Sequence, residues 1–279
     1  MTEVKNKVLD EERALYGSNG IIVDSCRFDG PADGESALKE SRDVTVKNSY
    51  FNLRYPFWHI DGLKISGCEL TKNCRAALWY SKHIAVSDSK LHGIKAFREC
   101  EDIIVDDCDI DSEEFGWSLN GITIRNSTTN SQYLLMNSAR ITFESSTVNG
   151  KYSFQYIRDS VIEDCTINTK DALWHARNVV VKNCTINSEY LAWYSENVTF
   201  ENCTLIGTQP LCYCKKLKLK DCKMVDADFA FEKSDVDATV TTPVLSIRNP
   251  LSGTIRLPQV DELIMDDENA KGEVIVSGS

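Results

Sequence analysis

Two basic residues interrupt a column of aromatic residues and are the first candidates for chemistry. Lys39 lies in ESALKES and Arg98 in IKAFREC, at positions where equivalent segments carry Trp. An acidic group beside a basic group or a second carboxylate can perform acid–base chemistry on a sugar. The sequence therefore predicts a reaction centre that contains Lys39, Arg98, Glu35, Glu40, Glu99, Glu114 and His59. The alternative for each residue is a surface ion pair of little energetic value.

The five tryptophans of the chain all occupy this same column, which indicates a ligand-binding face. Exposed indoles stack on sugar rings, and an exposed stripe of indoles otherwise lowers solubility. Basic side chains next to the stripe suit a carboxylate or sulfate on the ligand. The predicted ligand-binding residues are Trp58, Trp79, Trp117, Trp174, Trp193, Arg75, Lys95, His175 and Tyr194. The alternative is that the aromatic rings pack on one another, or lie beneath a loop or a terminal cap.

An internal repeat must position these side chains. Counted from Cys26, equivalent Cys or Ser residues follow at steps of 23, 19 and 21 residues, and then every 19 residues as far as Cys222. Each unit opens with a short strand pattern, such as VVVKNC (179–184) or VTFENC (198–203). Units of this length that lack a helical period are typical of parallel β-helix coils. The sequence predicts an all-β, single-stranded, right-handed parallel β-helix with about eleven to twelve coils.

Alternation along each strand assigns the columns of this repeat to the inside or the outside. The residue before the Trp column is apolar, which predicts an inward side chain and turns the Trp column outward. The residue after the Trp column is polar or amphipathic and is expected at a bend. A short polar residue precedes each Cys or Ser, as Asn183 precedes Cys184, and is expected in a turn.

Charge and composition exclude several partners. The formal net charge of −11 opposes sequence-independent binding to nucleic acid or to anionic lipid. No segment has the length and apolarity of a signal peptide or a membrane span. The eleven cysteines lack metal-type spacing, apart from Cys212 and Cys214, so we expect reduced thiols in a cytoplasm and no metal site. Nothing in the sequence calls for a cofactor.

Several coil motifs resemble a bacterial family of pectin-lyase-like β-helix proteins that is defined only as a domain of unknown function. The resemblance implies the β-helix fold but supplies no reaction and no catalytic residue. The wider pectin-lyase-like group contains polysaccharide lyases, hydrolases and esterases, so a carbohydrate ligand is implied by fold analogy. The motifs are GESALKES (34–41), RYPFWH (54–59), RAALWYS (75–81), KAFREC (95–100), KDALWH (170–175), EYLAWYS (189–195), GTQPLCYC (207–214), FAFEKSDVDA (229–238) and NPLSG (249–253).

These observations predict one domain over residues 1–279 and leave two functions open. Residues 1–20 are expected to form an N-terminal cap, 21–233 the regular coils, and 234–279 irregular coils and a second cap. The first function is saccharide binding along the Trp column, with lyase, hydrolase or isomerase chemistry at the charged residues. The second is a non-catalytic scaffold that binds a protein partner or itself, and a homodimer through a lateral face is compatible with it.

Overall fold

The computed structural model describes residues 2–30 and 34–277 and contains two compact units, Met1–Ala139 and Arg140–Ser279. Predicted cap or coil positions 1, 31–33 and 278–279 lie outside the described residues. The single-domain organisation stays a prediction, and each unit is considered by itself.

The regular secondary structure of unit 1, within its described residues, consists of short strands. They are β1 (Thr2–Lys5), β2 (Ile21–Asp24), β3 (Arg27–Phe28), β4 (Arg42–Lys47), β5 (Tyr50–Phe51), β6 (Asp61–Ser66), β7 (Glu69–Leu70), β8 (Leu78–Trp79), β9 (Lys82–Ser87), β10 (Lys90–Leu91), β11 (Phe97–Arg98), β12 (Glu101–Asp106), β13 (Asp109–Asp111), β14 (Glu114–Phe115), β15 (Asn120–Arg125) and β16 (Thr128–Leu134).

The regular secondary structure of unit 2, within its described residues, also consists of short strands. Its strands are β17 (Ala139–Glu144), β18 (Thr147–Ser153), β19 (Arg158–Glu163), β20 (Thr166–Lys170), β21 (Arg177–Lys182), β22 (Thr185–Asn187), β23 (Glu196–Glu201), β24 (Thr204–Ile206), β25 (Leu217–Val225), β26 (Asp235–Val240), β27 (Val244–Arg248), β28 (Ser252–Leu257), β29 (Val260–Ile264) and β30 (Glu273–Val276).

Parallel pairing between equivalent strands makes each unit a β-helix. In unit 1, β2, β4, β6, β9, β12 and β15 pair in that order, and β3, β5, β7, β10, β13 and β16 form a second face. In unit 2, β19, β21, β23, β25, β26, β28 and β30 follow the same rule. The predicted β-helix is confirmed, and the chain contains about 14 turns with no helix among its described residues.

The two ends supply the turns beyond the predicted eleven to twelve. Strand β1 pairs with β2 through Thr2–Lys5, so the N-terminal segment covers the first predicted coil by forming one more coil. At the other end, β28 pairs with β26 and β30 pairs with β28, although the 19-residue frame is lost there. Backbone pairing therefore continues where the side-chain pattern no longer repeats.

The core lies between the faces and is filled by the predicted inward positions. Val44 and Val46 of β4 stand in register with Leu63 and Ile65 of β6, and all four are buried. Phe28 stacks on Phe51 with ring centres 4.5 Å apart. Because equivalent residues of successive coils meet in this way, one apolar residue per column suffices to build a continuous core.

The residue before each repeat Cys or Ser, from Cys26 to Cys222, occupies a left-handed turn, as predicted. Asn183 and Asn202 have φ angles of 51° and 51°. Asn202 Nδ2 donates to Asn183 Oδ1 at 3.0 Å, and Asn183 Nδ2 donates to Asp164 Oδ1 at 3.0 Å. A short polar side chain thus tolerates the backbone conformation and also joins neighbouring coils.

The next column accepts either cysteine or serine because the sulfur and the hydroxyl oxygen can each accept the same backbone hydrogen bond. The Ser49 hydroxyl accepts from the Cys26 N–H at 3.0 Å, and the Cys184 sulfur accepts from the Cys165 N–H at 3.4 Å. All eleven cysteines are buried free thiols. Burial raises the pKa of Cys74 and of Cys100 to about 12, which opposes reactivity at neutral pH.

Candidate functional site: the tryptophan column

The tryptophans lie on the outside of each unit, but within the described residues the predicted strand at this column forms only at Trp79 and Arg98, whereas Trp58, Trp174 and Trp193 lie in turns. In unit 1, Leu78 and Phe97 pair in register and are buried, whereas Trp79 and Arg98, the next pair, are half-buried. The following residue turns the corner in the left-handed region, with φ of 56° at Tyr80. The predicted order of inward, outward and bend positions is therefore correct on these two coils, whereas Cys212 and Phe231, at the same column position in unit 2, are buried.

The column residues of unit 1 form a continuous stack, which we call the unit 1 ladder: Lys39, Trp58, Trp79, Arg98 and Trp117. The Trp58 and Trp79 rings lie 5.1 Å apart and are inclined by 4°. Lys39 Nζ is 5.4 Å from the Trp58 ring centre. The Arg98 guanidinium carbon is 4.7 Å from the Trp79 ring centre and 5.0 Å from that of Trp117. The two basic residues thus continue the stack through cation–π contacts.

The indole N–H groups of the ladder are directed at the protein itself. Trp58 Nε1 donates to the Ala76 carbonyl at 2.5 Å, and Trp79 Nε1 donates to the Lys95 carbonyl at 2.8 Å. Since the ring faces of Trp58 and Trp79 meet each other, their edges are what remains for a ligand. The packing alternative therefore describes part of this column correctly.

Trp117 departs from that hydrogen-bonding pattern. Its Nε1 atom is buried and finds no acceptor among the described residues. Trp79 donates to the backbone carbonyl sixteen residues after it. The carbonyl at the equivalent distance from Trp117 is that of Tyr133, and it accepts a hydrogen bond from the Ser131 hydroxyl at 3.2 Å instead. Trp117 is consequently held by its contacts with Arg98 and with the edge of the Tyr133 ring.

One acidic residue joins two of the predicted basic residues. Glu114 Oε1 lies 3.7 Å from Lys95 Nζ, and Glu114 Oε2 lies 3.7 Å from the Arg98 guanidinium. All three side chains are only partly exposed, with 19% exposure for Glu114. Because the carboxylate serves two cations, this cluster retains a net positive charge.

The remaining predicted catalytic residues of unit 1 do not join that cluster. Glu35 forms an ion pair with Arg54 at 2.9 Å. Glu40, His59 and Glu99 occupy exposed corner positions on different coils, and His59 stacks on Tyr80 at 5.1 Å. The seven predicted catalytic residues are therefore spread over the face, while Arg75 is exposed beside the ladder.

Unit 2 carries a second aromatic patch, and it unites four of the predicted ligand residues. Trp174 and Trp193 stack at 5.5 Å, and their N–H groups donate to the carbonyls of Tyr190 and Gln209, each at 2.7 Å. Beside them His175 lies between two tyrosine rings, 4.8 Å from Tyr156 and 5.2 Å from Tyr194.

The predicted ligand-binding residues omit several tyrosines that support the column, although the sequence predicts that Tyr190 flanks Trp193. Tyr55 packs against Trp58 at 4.9 Å, and Tyr190 packs against Trp193 at 5.2 Å. Both stand three residues before the tryptophan, which is a spacing that the sequence displays. Tyr156 and Tyr213 were likewise missed as members of the Tyr194 stack.

A buried carboxyl group takes the tyrosine position in front of Trp174. Asp171 is 8% exposed, and its Oδ1 finds no hydrogen-bond partner among the described residues. Burial raises the pKa of this carboxyl, Lys170 opposes the rise, and Glu189 adds to it. Lys170 itself forms an ion pair with Glu189 at 3.4 Å.

Comparison with solved structures finds parallel β-helix proteins of very low sequence identity. The surface adhesin PfbA of Streptococcus pneumoniae has a TM-score of 0.38 and 10% identity, over 85% of this chain and 77% of the adhesin chain. The AlgE4 A-module, a mannuronan C-5 epimerase of Azotobacter vinelandii, has a TM-score of 0.34 and 12% identity, over 84% and 80%. Tailspike protein 3 of bacteriophage CBA120 has a TM-score of 0.32 and 11% identity, over 99% and 52%.

Sequence comparison assigns the family. Residues 2–276 match the model described as "Protein of unknown function (DUF3737)", and the chain belongs to this family. The resemblance to a pectin-lyase-like β-helix family of unknown function is thereby confirmed. A search of curated proteins finds no match. Among the described residues, no helix is long and apolar enough to cross a membrane.

Proposed function

We propose that this DUF3737 chain is a saccharide-binding β-helix that holds an acidic saccharide against the unit 1 ladder. The observation that carries the proposal is the position of Arg98, whose guanidinium lies between the rings of Trp79 and Trp117. A cation held on two rings is already oriented, so little side-chain entropy is lost when it binds an anion.

The distribution of charge along this face favours an anionic ligand. Arg54, Arg75 and Lys95 stand beside the ladder on successive coils, together with Arg98 in the ladder itself. The carboxylates of Glu35 and Glu114 occupy the two ends of this basic segment. A chain of sugar rings that runs along the coils would place its carboxylate or sulfate groups over the segment and its apolar edges over the indole edges.

The arrangement of the carboxyl groups on this face favours saccharide binding over catalysis. A glycosidase-type reaction needs two carboxyl groups that flank one bond. Glu35 and Glu40 share one coil, but Glu35 is engaged in an ion pair with Arg54. Glu99 and Glu114 lie on two later coils, and Glu114 is engaged with two cations. Lyase, hydrolase or isomerase chemistry at these residues remains a hypothesis that assays on any bound oligosaccharide would test.

A second function has one observation in its favour. The indoles of Trp58 and Trp79 stack on each other, and exposed tyrosine rings such as Tyr80 stand beside them. Such a face suits a protein partner or a second copy of this chain, since aromatic residues are enriched in interfaces. In this reading the chain is a scaffold or a homodimer. The eleven free thiols support a reducing, cytoplasmic location for either function.

The test is a binding assay with oligouronates, sulfated oligosaccharides and neutral oligosaccharides of equal length. Tryptophan fluorescence should change with the acidic ligands only, and affinity should fall at least about tenfold in Arg98→Gln and in the exposed variant Arg75→Gln. Lys47→Gln, an exposed cation on β4, is the matched control and should bind as the wild type does. Equal binding by all four proteins, or sedimentation as a dimer that buries the ladder, would contradict the proposal.

A further inference from the structure

Unit 1 contains a cleft on a different face from the ladder. It has a volume of about 660 Å³ and follows β4, β6, β9 and β12. This volume lies within the range of small-molecule sites, which are mostly apolar clefts with a few convergent polar groups. None of its lining residues is a predicted catalytic or ligand-binding residue, and none belongs to the ladder.

The floor of the cleft consists of outward residues in the middle of these strands. Thr45, Ala85 and Ile104 line it, and Ile104 is 48% exposed. Lys64 lies on β6, between the strands of Thr45 and Ala85, and stands in register with both residues. The small Ala85 beside the larger Lys64 and Ile104 produces a depression with an apolar base.

The rim of the cleft is a column of corner residues in the left-handed region: Gly20, Asp43, Gly62, His83 and Asp102. A Cβ atom at Gly62 would lie 2.9 Å from Asp43 Oδ1. Glycine at this corner thus leaves the Asp43 carboxylate room to lean across it, which brings an acceptor to the mouth of the cleft.

His83 is oriented by a carboxylate behind it. Its Nδ1 is 2.7 Å from Asp61 Oδ1, and this hydrogen bond, aided by Lys82, lowers the pKa of Asp61. Since an ionised carboxylate only accepts, the hydrogen bond fixes the proton on Nδ1 and leaves Nε2 as an acceptor in the neutral ring. Nε2 lies 3.9 Å from Asp102 Oδ2, so a hydroxyl group in front of the pair can donate to one acceptor or the other.

We propose that this cleft binds one neutral sugar ring, a hexopyranoside. The C–H face of the ring would pack on Ala85 and Ile104, while its hydroxyls would donate to Asp43 and to His83 Nε2 and accept from Lys64. Two aspartates in the lining, Asp43 and Asp102, outnumber its one lysine, Lys64, which disfavours a uronate. The site therefore differs from the ladder in both residues and preferred charge, and does not depend on the function proposed for the ladder.

The experiment follows the His83 imidazole resonances by NMR during titration with methyl hexopyranosides and with the matching hexuronic acids. Ala85→Phe fills the cleft and should weaken pyranoside binding at least about tenfold, because the ring loses its floor. Thr199→Phe, an outward mid-strand residue in unit 2, is the matched control and should leave binding unchanged. Arg98→Gln should also leave it unchanged, which separates this site from the ladder.

Three results would overturn the proposal. They are the absence of any shift at His83 with every neutral pyranoside, wild-type affinity in a folded Ala85→Phe protein, and tighter binding of uronic acids than of neutral sugars. The second of these results, if pyranoside binding is also lost in Arg98→Gln, would assign the ligand to the ladder. Unfolding curves of both Phe variants establish that each protein is folded.

Discussion

The Arg98 guanidinium carbon lies 4.7 Å from the centre of the Trp79 ring, in the position that an indole occupies one coil earlier. Each coil of a β-helix adds about 4.8 Å, which is close to the spacing of the Trp58, Trp79 and Arg98 groups in this stack. The planar shape of arginine therefore lets it replace tryptophan in the stack, and it adds a positive charge between two indole rings.

Replacing Arg98 with tryptophan should separate stability from binding. The new indole would stack between Trp79 and Trp117, so we expect the free energy of unfolding to change by less than about 1 kcal/mol. Affinity for oligouronates should nevertheless fall at least about tenfold, because the oriented cation is lost. Denaturant unfolding and fluorescence titration measure the two quantities. Retention of full affinity in this variant would show that Arg98 does not contact the ligand.

The aromatic patch of unit 2 should respond very differently to two neighbouring truncations. Trp193 stacks on Trp174, contacts the edges of Tyr190 and Tyr213, and donates a hydrogen bond, so Trp193→Ala should cost about 3 kcal/mol of unfolding free energy. Tyr194 is 47% exposed, and Tyr194→Ala should cost about 1 kcal/mol. Urea unfolding checks both values. Similar costs for the two variants would mean that the indole stack is not structural.

The repeat in the sequence predicts the columns but not the contacts between them. Leu78 and Phe97 could be assigned inward, and Trp79 outward, because alternation follows directly from residue type. The sharing of Glu114 by Lys95 and Arg98 could not be predicted, since it depends on side-chain conformations across coils of unequal length. His83 gave no signal either, because its corner column also contains Gly62 and Asp102 and therefore shows no consistent residue type.

Asn183 should be sensitive to the loss of its amide and of its turn conformation. Asn183→Ala removes hydrogen bonds to two neighbouring coils and places Ala at a φ of 51°, so we expect a loss of about 2 kcal/mol. Asn183→Gly removes the same amide but tolerates the turn, and the loss should be about 1 kcal/mol. Thermal unfolding of both variants provides the comparison. A larger loss for Gly than for Ala would contradict the turn argument.

Asp171 should make the stability of unit 2 depend on pH in the direction opposite to that of most carboxylates. Its pKa is raised by burial in the folded protein, so the native state favours the protonated form. The side chain is best tolerated below the unfolded-state pKa of about 4, and stability falls as the pH rises from there through the folded pKa. Asp171→Asn removes this ionisation, and should stabilise the protein at pH 7 by about 1 kcal/mol relative to the wild type.

The difference between Asp171→Asn and wild type should shrink as the pH is lowered towards 4, because the wild-type carboxyl then becomes neutral as well. Denaturant unfolding at several pH values between 4 and 7 measures it. Asp221→Asn replaces an exposed carboxylate at a corner of the same unit and is the control for loss of a charge without loss of a buried one, so its difference at pH 7 should be much smaller. If Asp171→Asn is less stable than the wild type at pH 7, the carboxylate has a favourable partner in solution and the burial argument is wrong.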